Sequence, residues 1–255
     1  MVDIPALQGE LRGTKIHIIE DSAHCFEGEL GGDKPGKHSR CAIFSFYATK
    51  NVTCGEGGAI VTNDTHLYEL LLQTRSHGMS AGAIDRFKLG SYRHWDMTRL
   101  GAKANLPDLL ACLLPRQIDA ANQTLERRNA IAQRYEHFLA GMPIRVPQHV
   151  NNGKHARHLF VIHVPPSIRD AAIGVLGESG IGVTVNYRSV PQTTYYQNKY
   201  HHGANAFPVS EEWGNGTISL PLFPPLTTVE QDHVIAVLRE KIVPLVEASS
   251  RRLHS

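Results

Sequence analysis

The sequence predicts an α/β chain whose strand-rich first half leads through a long helix to a smaller α+β second half. Three observations predict it. Short apolar runs crowd into residues 15–62, helical spacing dominates 65–75 and 106–139, and beyond Gly141 and Pro143 a strand, a helix and another strand follow in turn. The 255 residues are 42% hydrophobic and 20% charged, with no low-complexity tract, which excludes collagen, fibres and disorder. A chain of this size buries a core without disulfide or metal staples.

The first strand is predicted at Lys15–Ile19, ending in Glu20 and Asp21, so Asp21 stands at a strand's carboxyl end. Gly28–Gly36 reads as turns joining short extended pieces. Neither GxGxxG nor GxxxxGK[ST] runs through it, so it is not a phosphate loop. Further strands are predicted at Cys41–Tyr47 and Ala59–Thr62, separated by Ala48-Thr49-Lys50-Asn51 and a turn at Gly55–Gly58. Leu67, Leu70, Leu71 and Thr74, behind the possible caps Asn63 and Asp64, predict a helix over 65–75. Residues 78–100 carry no period and are predicted as a long loop, the kind that serves function or an interface.

From Leu106 the pattern is helical, with Pro107 suited to a first turn and Pro115 a break or kink. A second helix carries Ile118, Leu125, Ala132, Tyr135 and Leu139 on one side, with Arg127, Arg128 and Arg134 elsewhere. Strand His158–Val164, helix Ile168–Glu178 and strand Gly182–Arg188 form the smaller unit. Residues 189–217 read as an excursion. A last helix opens at Thr227 with Glu230 at capping-box spacing, and Pro244 should end or bend it. The expected division is 1–117, a connecting helix over 118–140, and 141–255.

Lys and Arg number 26 against 24 Asp and Glu, and the charges are scattered, so no nucleic-acid partner is expected. The longest apolar run, Cys41–Ala48 with Ser45 inside it, is far below the roughly 20 residues that cross a bilayer. No membrane association is expected, and with no export signal the cytoplasm is the expected location. Cys25, Cys41, Cys54 and Cys112 are irregularly spaced, arguing against a zinc site or a disulfide framework, so no metal is expected.

One constellation carries chemistry: Asp21 after one strand, and Lys50 just past a strand that contains Ser45, with a Gly-rich turn following. Pyridoxal phosphate chemistry needs this set. A lysine amine forms the internal Schiff base, a carboxylate keeps the ring nitrogen protonated, and hydroxyls or backbone amides hold the phosphate. The lysine must be neutral to attack a carbonyl, and desolvation favours that form.

Ile19-Glu20-Asp21-Ser22-Ala23-His24, then Phe44-Ser45-Phe46-Tyr47-Ala48-Thr49-Lys50-Asn51-Val52-Thr53-Cys54-Gly55-Glu56-Gly57-Gly58, then Arg75-Ser76-His77-Gly78 resemble the central motifs of the DegT/StrS family of sugar aminotransferases. Gly101-Ala102-Lys103-Ala104-Asn105-Leu106-Pro107-Asp108 and Ser219-Leu220-Pro221-Leu222-Phe223-Pro224 resemble its downstream signatures. The resemblance implies the carboxyl-terminal part of a fold-type I large domain, a mixed and mostly parallel sheet with helices, followed by a smaller α+β domain. It implies that Lys50 is the Schiff-base and proton-shuttling lysine and Asp21 the partner of the ring nitrogen. His24 would lie near the cofactor's phenolic oxygen, and Ser45 would bond the phosphate. Asn105 would reach the phosphate of a neighbouring subunit, making the active unit a homodimer.

The implied reaction moves an amino group, with glutamate as donor, to a keto-sugar nucleotide for cell-surface polysaccharide or lipopolysaccharide synthesis. The nearest branch acts on the 4-keto derivative of UDP-L-arabinose, although Asn186 and Pro191 stand where that branch has histidines. Arg188 would anchor a substrate carboxylate or phosphate, or else form a surface salt bridge; Tyr187 beside it would touch the substrate, and Tyr195 and Tyr196 would border the cleft or, for at least one of them, simply pack. Met1–Gln8 resembles the helix before the aspartate strand, so the family's first strands, its Gly-Thr phosphate turn and its ring-stacking aromatic residue are expected to be absent. The alternative expectation is therefore a truncated, non-catalytic remnant, or one half of a split enzyme needing an amino-terminal partner.

Overall fold

The computed structural model describes residues 1–80, 92, 94–148, 152–203 and 205–252, so most of the predicted 78–100 loop lies outside the described residues. Two compact units form, Met1–Asn122 with Val150–Ala156, and Gln123–His149 with Arg157–Ser255.

In the first unit, helix α1 (Ile4–Glu10) is capped by Asp3, whose carboxylate accepts from Ala6 N at 2.9 Å. Strands β1 (Ile19–Asp21), β3 (Cys41–Ser45) and β4 (Gly58–Val61) form a sheet in the order β1-β3-β4. The β1–β3 pair is parallel and β3–β4 is antiparallel, so this sheet is mixed. Between β1 and β3, the two-residue β2 (Glu29–Leu30) pairs with β5 (Gly153–Lys154). β1 starts later than its alternating pattern predicts. Only Ile19–Asp21 align with Cys41–Ile43, while Lys15–His17 are exposed and take no ladder partner among the described residues.

Helix α2 (Thr65–Thr74) matches its predicted span, and Asp64 caps it through Leu67 N at 3.0 Å. Pro115 opens helix α4 (Pro115–Asp119) just after the short α3 (Asp108–Ala111); lacking an N–H, it costs nothing there. Ile118 is 44% exposed, not on the buried side the sequence suggested. The unit's small core joins Phe46, Val52, Cys54, Leu114 and Ala121, with Phe26 edge-on to Phe44 and Phe46 at 5.7 and 6.4 Å. Burying each large apolar side chain contributes roughly 1.5–3 kcal/mol, so this core anchors the segment on both sides of Lys50.

Helix α5 (Ala121–Leu139) continues into the second unit and buries Leu125, Ala132, Tyr135 and Leu139, the expected stripe. Arg128, expected away from that stripe, is buried as well. Strands β6 (Phe160–His163) and β7 (Thr217–Leu220) pair antiparallel, with α6 (Arg169–Glu178) between them in sequence. The predicted strand 182–188 reduces to one bridge, Thr184 with Ser219. The predicted excursion instead contains helices α7 (Thr194–Tyr200) and α8 (Pro208–Gly216). Helix α9 (Thr228–Val237) carries the expected capping box of Thr227 and Glu230. A π-helical stretch, Leu238–Ile242, passes into α10 (Val243–Arg252), so Pro244 sits in a first turn and ends nothing. The larger core lies here, around Tyr135, Ile162, Leu176, Ile218, Leu238 and Ile242.

Candidate active site

The end of β1 and the two segments that follow β1 and β3 converge. Asp21 pairs with Ile43, and Ile43 and Ser45 alternate to the same side, so Asp21 and Ser45 share one face of the sheet. One Asp21 carboxylate oxygen accepts from Ala23 N at 3.1 Å, shaping the turn that presents His24. Ser45 Oγ accepts from Tyr47 N at 3.3 Å, and Lys50 N donates to Tyr47 O at 2.9 Å. These bonds turn the chain after β3, and Lys50 stands in the electrostatic field of Asp21 while His24 stands in that of both.

Burial, first of all, holds the Lys50 amine below its ordinary lysine value, with the Asp21 carboxylate opposing. The imidazole of His24 is likewise held below its ordinary value, by burial first and the Lys50 charge second, again opposed by Asp21. The site therefore contains a half-buried amine biased toward its neutral form, a half-buried neutral imidazole and an exposed carboxylate. This donor set fits a charged heterocycle carrying an aldehyde: an acid for a ring nitrogen, an amine for the carbonyl and a hydroxyl for a further anionic group.

Two glycines shape the approach to Asn105. Gly78 has φ +72°, and a Cβ there would lie 1.8 Å from Arg99 O. A Cβ on Gly101 would come within 2.2 Å of Gly78 N. Both positions need the missing side chain for the backbones to pass. The crossing is laced by Ala102 N to Thr74 O at 2.8 Å and by a bridge between Ser76 and Lys103.

Residues 1–239 match the family model described as the DegT/DnrJ/EryC1/StrS aminotransferase family. The chain belongs to this family. Its fold matches Spr1654 of Streptococcus pneumoniae, assigned as a sugar aminotransferase and seen in its PMP-form, with TM-score 0.87, 26% identity and 96% of this chain covered. DesV of S. venezuelae, in complex with a ketimine intermediate, gives TM-score 0.83 at 28% identity over 94% of this chain. A DegT DnrJ EryC1 StrS aminotransferase from Brucella abortus gives 0.81 at 26% identity over 94%. The chain spans 67%, 62% and 61% of the lengths of these three proteins, respectively.

In this DegT-family chain Asp21 and Ser45 lie on one face of the first unit's sheet, and Asp21, His24 and Lys50 of that unit lie within electrostatic reach of one another. Asn105 is exposed in the same unit, between the Ser76–Lys103 bridge and α3. Tyr187 and Arg188 belong to the second unit, both exposed, and Arg188 Nη2 donates to Gln192 O at 3.0 Å. Sequence reasoning missed Glu27, which is 1% exposed and accepts from Asn51. A lone glutamate after a turn carries no pattern that announces burial. Asn51 was visible beside Lys50, but nothing local to it names its partners.

Proposed function

We propose that this chain is a pyridoxal phosphate-dependent aminotransferase that moves an amino group from glutamate to a keto-sugar nucleotide in the cytoplasm, for cell-surface polysaccharide or lipopolysaccharide synthesis. The observation that supports it is the convergence within one unit of two stretches, the turn after β1 that carries Asp21 and His24 and the segment after β3 that carries Lys50. Residues 1–117 are read as the cofactor-binding part, 118–140 as the connector and 141–255 as the small domain. Within the family, the UDP-4-amino-4-deoxy-L-arabinose branch is the reading favoured by the motifs.

When bound, the cofactor supplies a carbonyl that exchanges amino groups and a ring that withdraws electrons. The Asp21 carboxylate would hold the proton on the ring nitrogen by a charge-assisted bond. Lys50 would anchor the cofactor, and its amine in the neutral form that burial favours would take and return a proton. His24, held toward its neutral form by burial, would lie beside the cofactor without adding a charge that competes with Asp21. Ser45 would offer its hydroxyl to the phosphate, and Asn105 would supply a contact across a homodimer; Arg188, with Tyr187 beside it, is read as offering a planar fork to an anionic group of the substrate.

The test is to add pyridoxal phosphate to purified chain, look for a visible or near-ultraviolet band, and fix it with borohydride. The label is expected on Lys50 by mass spectrometry, Lys50→Ala is expected to lack it, and glutamate is expected to bleach the band. A folded chain that forms no band overturns the reading.

One observation favours a second reading. Ile19, Ile43 and Ile60, on the sheet face shared with Asp21 and Ser45, are 59%, 40% and 47% exposed, and β1 forms one edge of the described sheet. Apolar strand faces of this kind are ordinarily covered. In this reading the chain works only with a complementary amino-terminal polypeptide, or is a non-catalytic remnant. Aggregation of the lone chain without cofactor binding favours it; a monodisperse, cofactor-binding species overturns it.

A further inference from the structure

We infer that Asn51 is a positioning residue, its side-chain amide fixing the backbone from which Lys50 projects; the inference rests on the reading of Lys50 as the cofactor-bearing lysine. Asn51 Nδ2 donates to Glu27 Oε2 at 3.0 Å and to Ala156 O at 3.0 Å. Those acceptors lie 24 and 105 residues away in sequence, and both residues are buried, at 1% and 4% exposure. Glu27 follows the turn that presents His24, and Ala156 closes the first unit. One side chain therefore ties the lysine segment to two other stretches of that unit.

The chemistry of the two partners dictates the residue. Glu27 Oε2 and Ala156 O both accept here, and an asparagine amide has two N–H donors on one nitrogen. Turning the amide over would set its oxygen against two acceptors, so its orientation is fixed by the network. Aspartate, nearly the same shape, would leave Glu27 and Ala156 O facing another acceptor in a buried place, which costs more than a missing bond. On either side the backbone is pinned as well. Lys50 N bonds Tyr47 O, Val52 is buried, and Thr53 exchanges bonds with Gln117, N to Oε1 at 3.1 Å and Nε2 to O at 2.7 Å.

A lysine side chain has four rotatable bonds, so the position of its amine is only as definite as that of its Cα. Misplacing a reacting group by about 1 Å can cost about 10²-fold in rate. Asn51 holds the Cα next in the chain.

The test is competitive labelling of lysines by acetic anhydride across pH, read by mass spectrometry with Lys103 and Lys199 as internal references. It needs no cofactor. With Asn51→Ala, Lys50 is expected to become more hydrated, its labelling midpoint to rise toward that of an ordinary lysine, and its labelling at neutral pH to slow several-fold. Asn51→Asp is expected to do this at least as strongly despite its shape. Adding Glu27→Gln to Asn51→Asp supplies a donor in place of an acceptor and is expected to recover part of the loss, with the reference lysines unchanged throughout. Asn51→Asp labelling like the wild type overturns the inference, as does a double variant no better than the single. Should Asn51→Asp not fold, Asn51→Ala against wild type decides by the same midpoint. The same proteins are titrated with pyridoxal phosphate. A wild type that forms no band while the labelling pattern holds sinks the functional reading and leaves the positioning role standing.

Discussion

The Asp21 carboxylate works against burial at both of its neighbours, because a negative charge favours the protonated forms that desolvation penalises. Asp21→Asn is therefore expected to lower the Lys50 and His24 pKa values further, read by competitive labelling and by histidine NMR titration. On the proposed role of Asp21, turnover should nevertheless fall, by about 10²–10³-fold, because a ring nitrogen would lose its ionic partner. A rise in either pKa contradicts the arrangement. His163 supplies a second titration, remote in sequence. It is 3% exposed, Arg145 Nη2 lies 2.9 Å from its Nδ1, Glu212 O lies 3.1 Å from its Nε2, and Trp213 packs at 4.8 Å. Burial first, then Arg145, hold its imidazole below the ordinary value, with the Glu212 carbonyl and carboxylate opposing. The unfolded chain, with a histidine pKa near ~6.5, binds this proton before the folded one does. The stabilisation from neutral His163 is thus complete above about pH 6.5 and is lost as pH falls from there through the folded-state value. Urea unfolding between about pH 7.5 and about pH 5.5 should show a smaller loss of stability for His163→Gln than for wild type. Equal losses would mean that this group does not titrate differently on folding.

Elements whose signals are local were legible in the sequence. Asp64 and the spacing of Leu67, Leu70 and Leu71 defined α2, and Thr227 with Glu230 defined the start of α9. Thr227→Ala removes the bond from Glu230 N to Thr227 Oγ1, 3.2 Å long, and should cost about 1 kcal/mol in a denaturant titration, with Thr227→Ser close to neutral. Elements set by distant partners were not legible. The alternating Lys15–Ile18 stretch looks like strand, but pairing with β3 begins only at Ile19. Helix α8 was hidden by Gly214 and Gly216, poor helix formers present for closeness: a Cβ on Gly216 would sit 2.3 Å from His163 Nε2. At the active site the same division holds. Asp21, Ser45 and Lys50 stood out by motif, whereas Asn51 became meaningful only once Glu27 and Ala156 were beside it. Gly101→Ala is expected to disrupt the crossing with Gly78, since the clash is with backbone and nothing flexible can yield. Faster amide hydrogen exchange over residues 74–78 and 101–105 would register it, and unchanged protection would count against the crossing.

At the scale of the whole molecule the first unit leaves several large apolar side chains uncovered among its described residues. Leu100 and Leu109 are 89% and 84% exposed, and Leu113 and Met97 are each more than half exposed. Leu109 and Leu113 stand four residues apart, one turn, while Leu110 and Leu114 on the other side pack on the core that includes Val52. The segment from Leu100 to Leu113 therefore carries apolar side chains in two directions, and only one is satisfied within the unit. Fully burying a leucine is worth roughly 1.5–3 kcal/mol, so covering even three of these residues yields association energy that a homodimer with Asn105 at its seam can use. The expected result is a dimer by analytical ultracentrifugation, dissociated by Leu109→Glu with Leu113→Glu, and accompanied by weaker pyridoxal phosphate binding because Asn105 no longer reaches a neighbouring site. The two substitutions replace exposed side chains, so circular dichroism of the monomer should stay that of the wild type. A wild-type chain that stays monomeric while saturated with cofactor would remove Asn105 from the site and leave Lys50, Asp21, His24 and Ser45 to act within one chain.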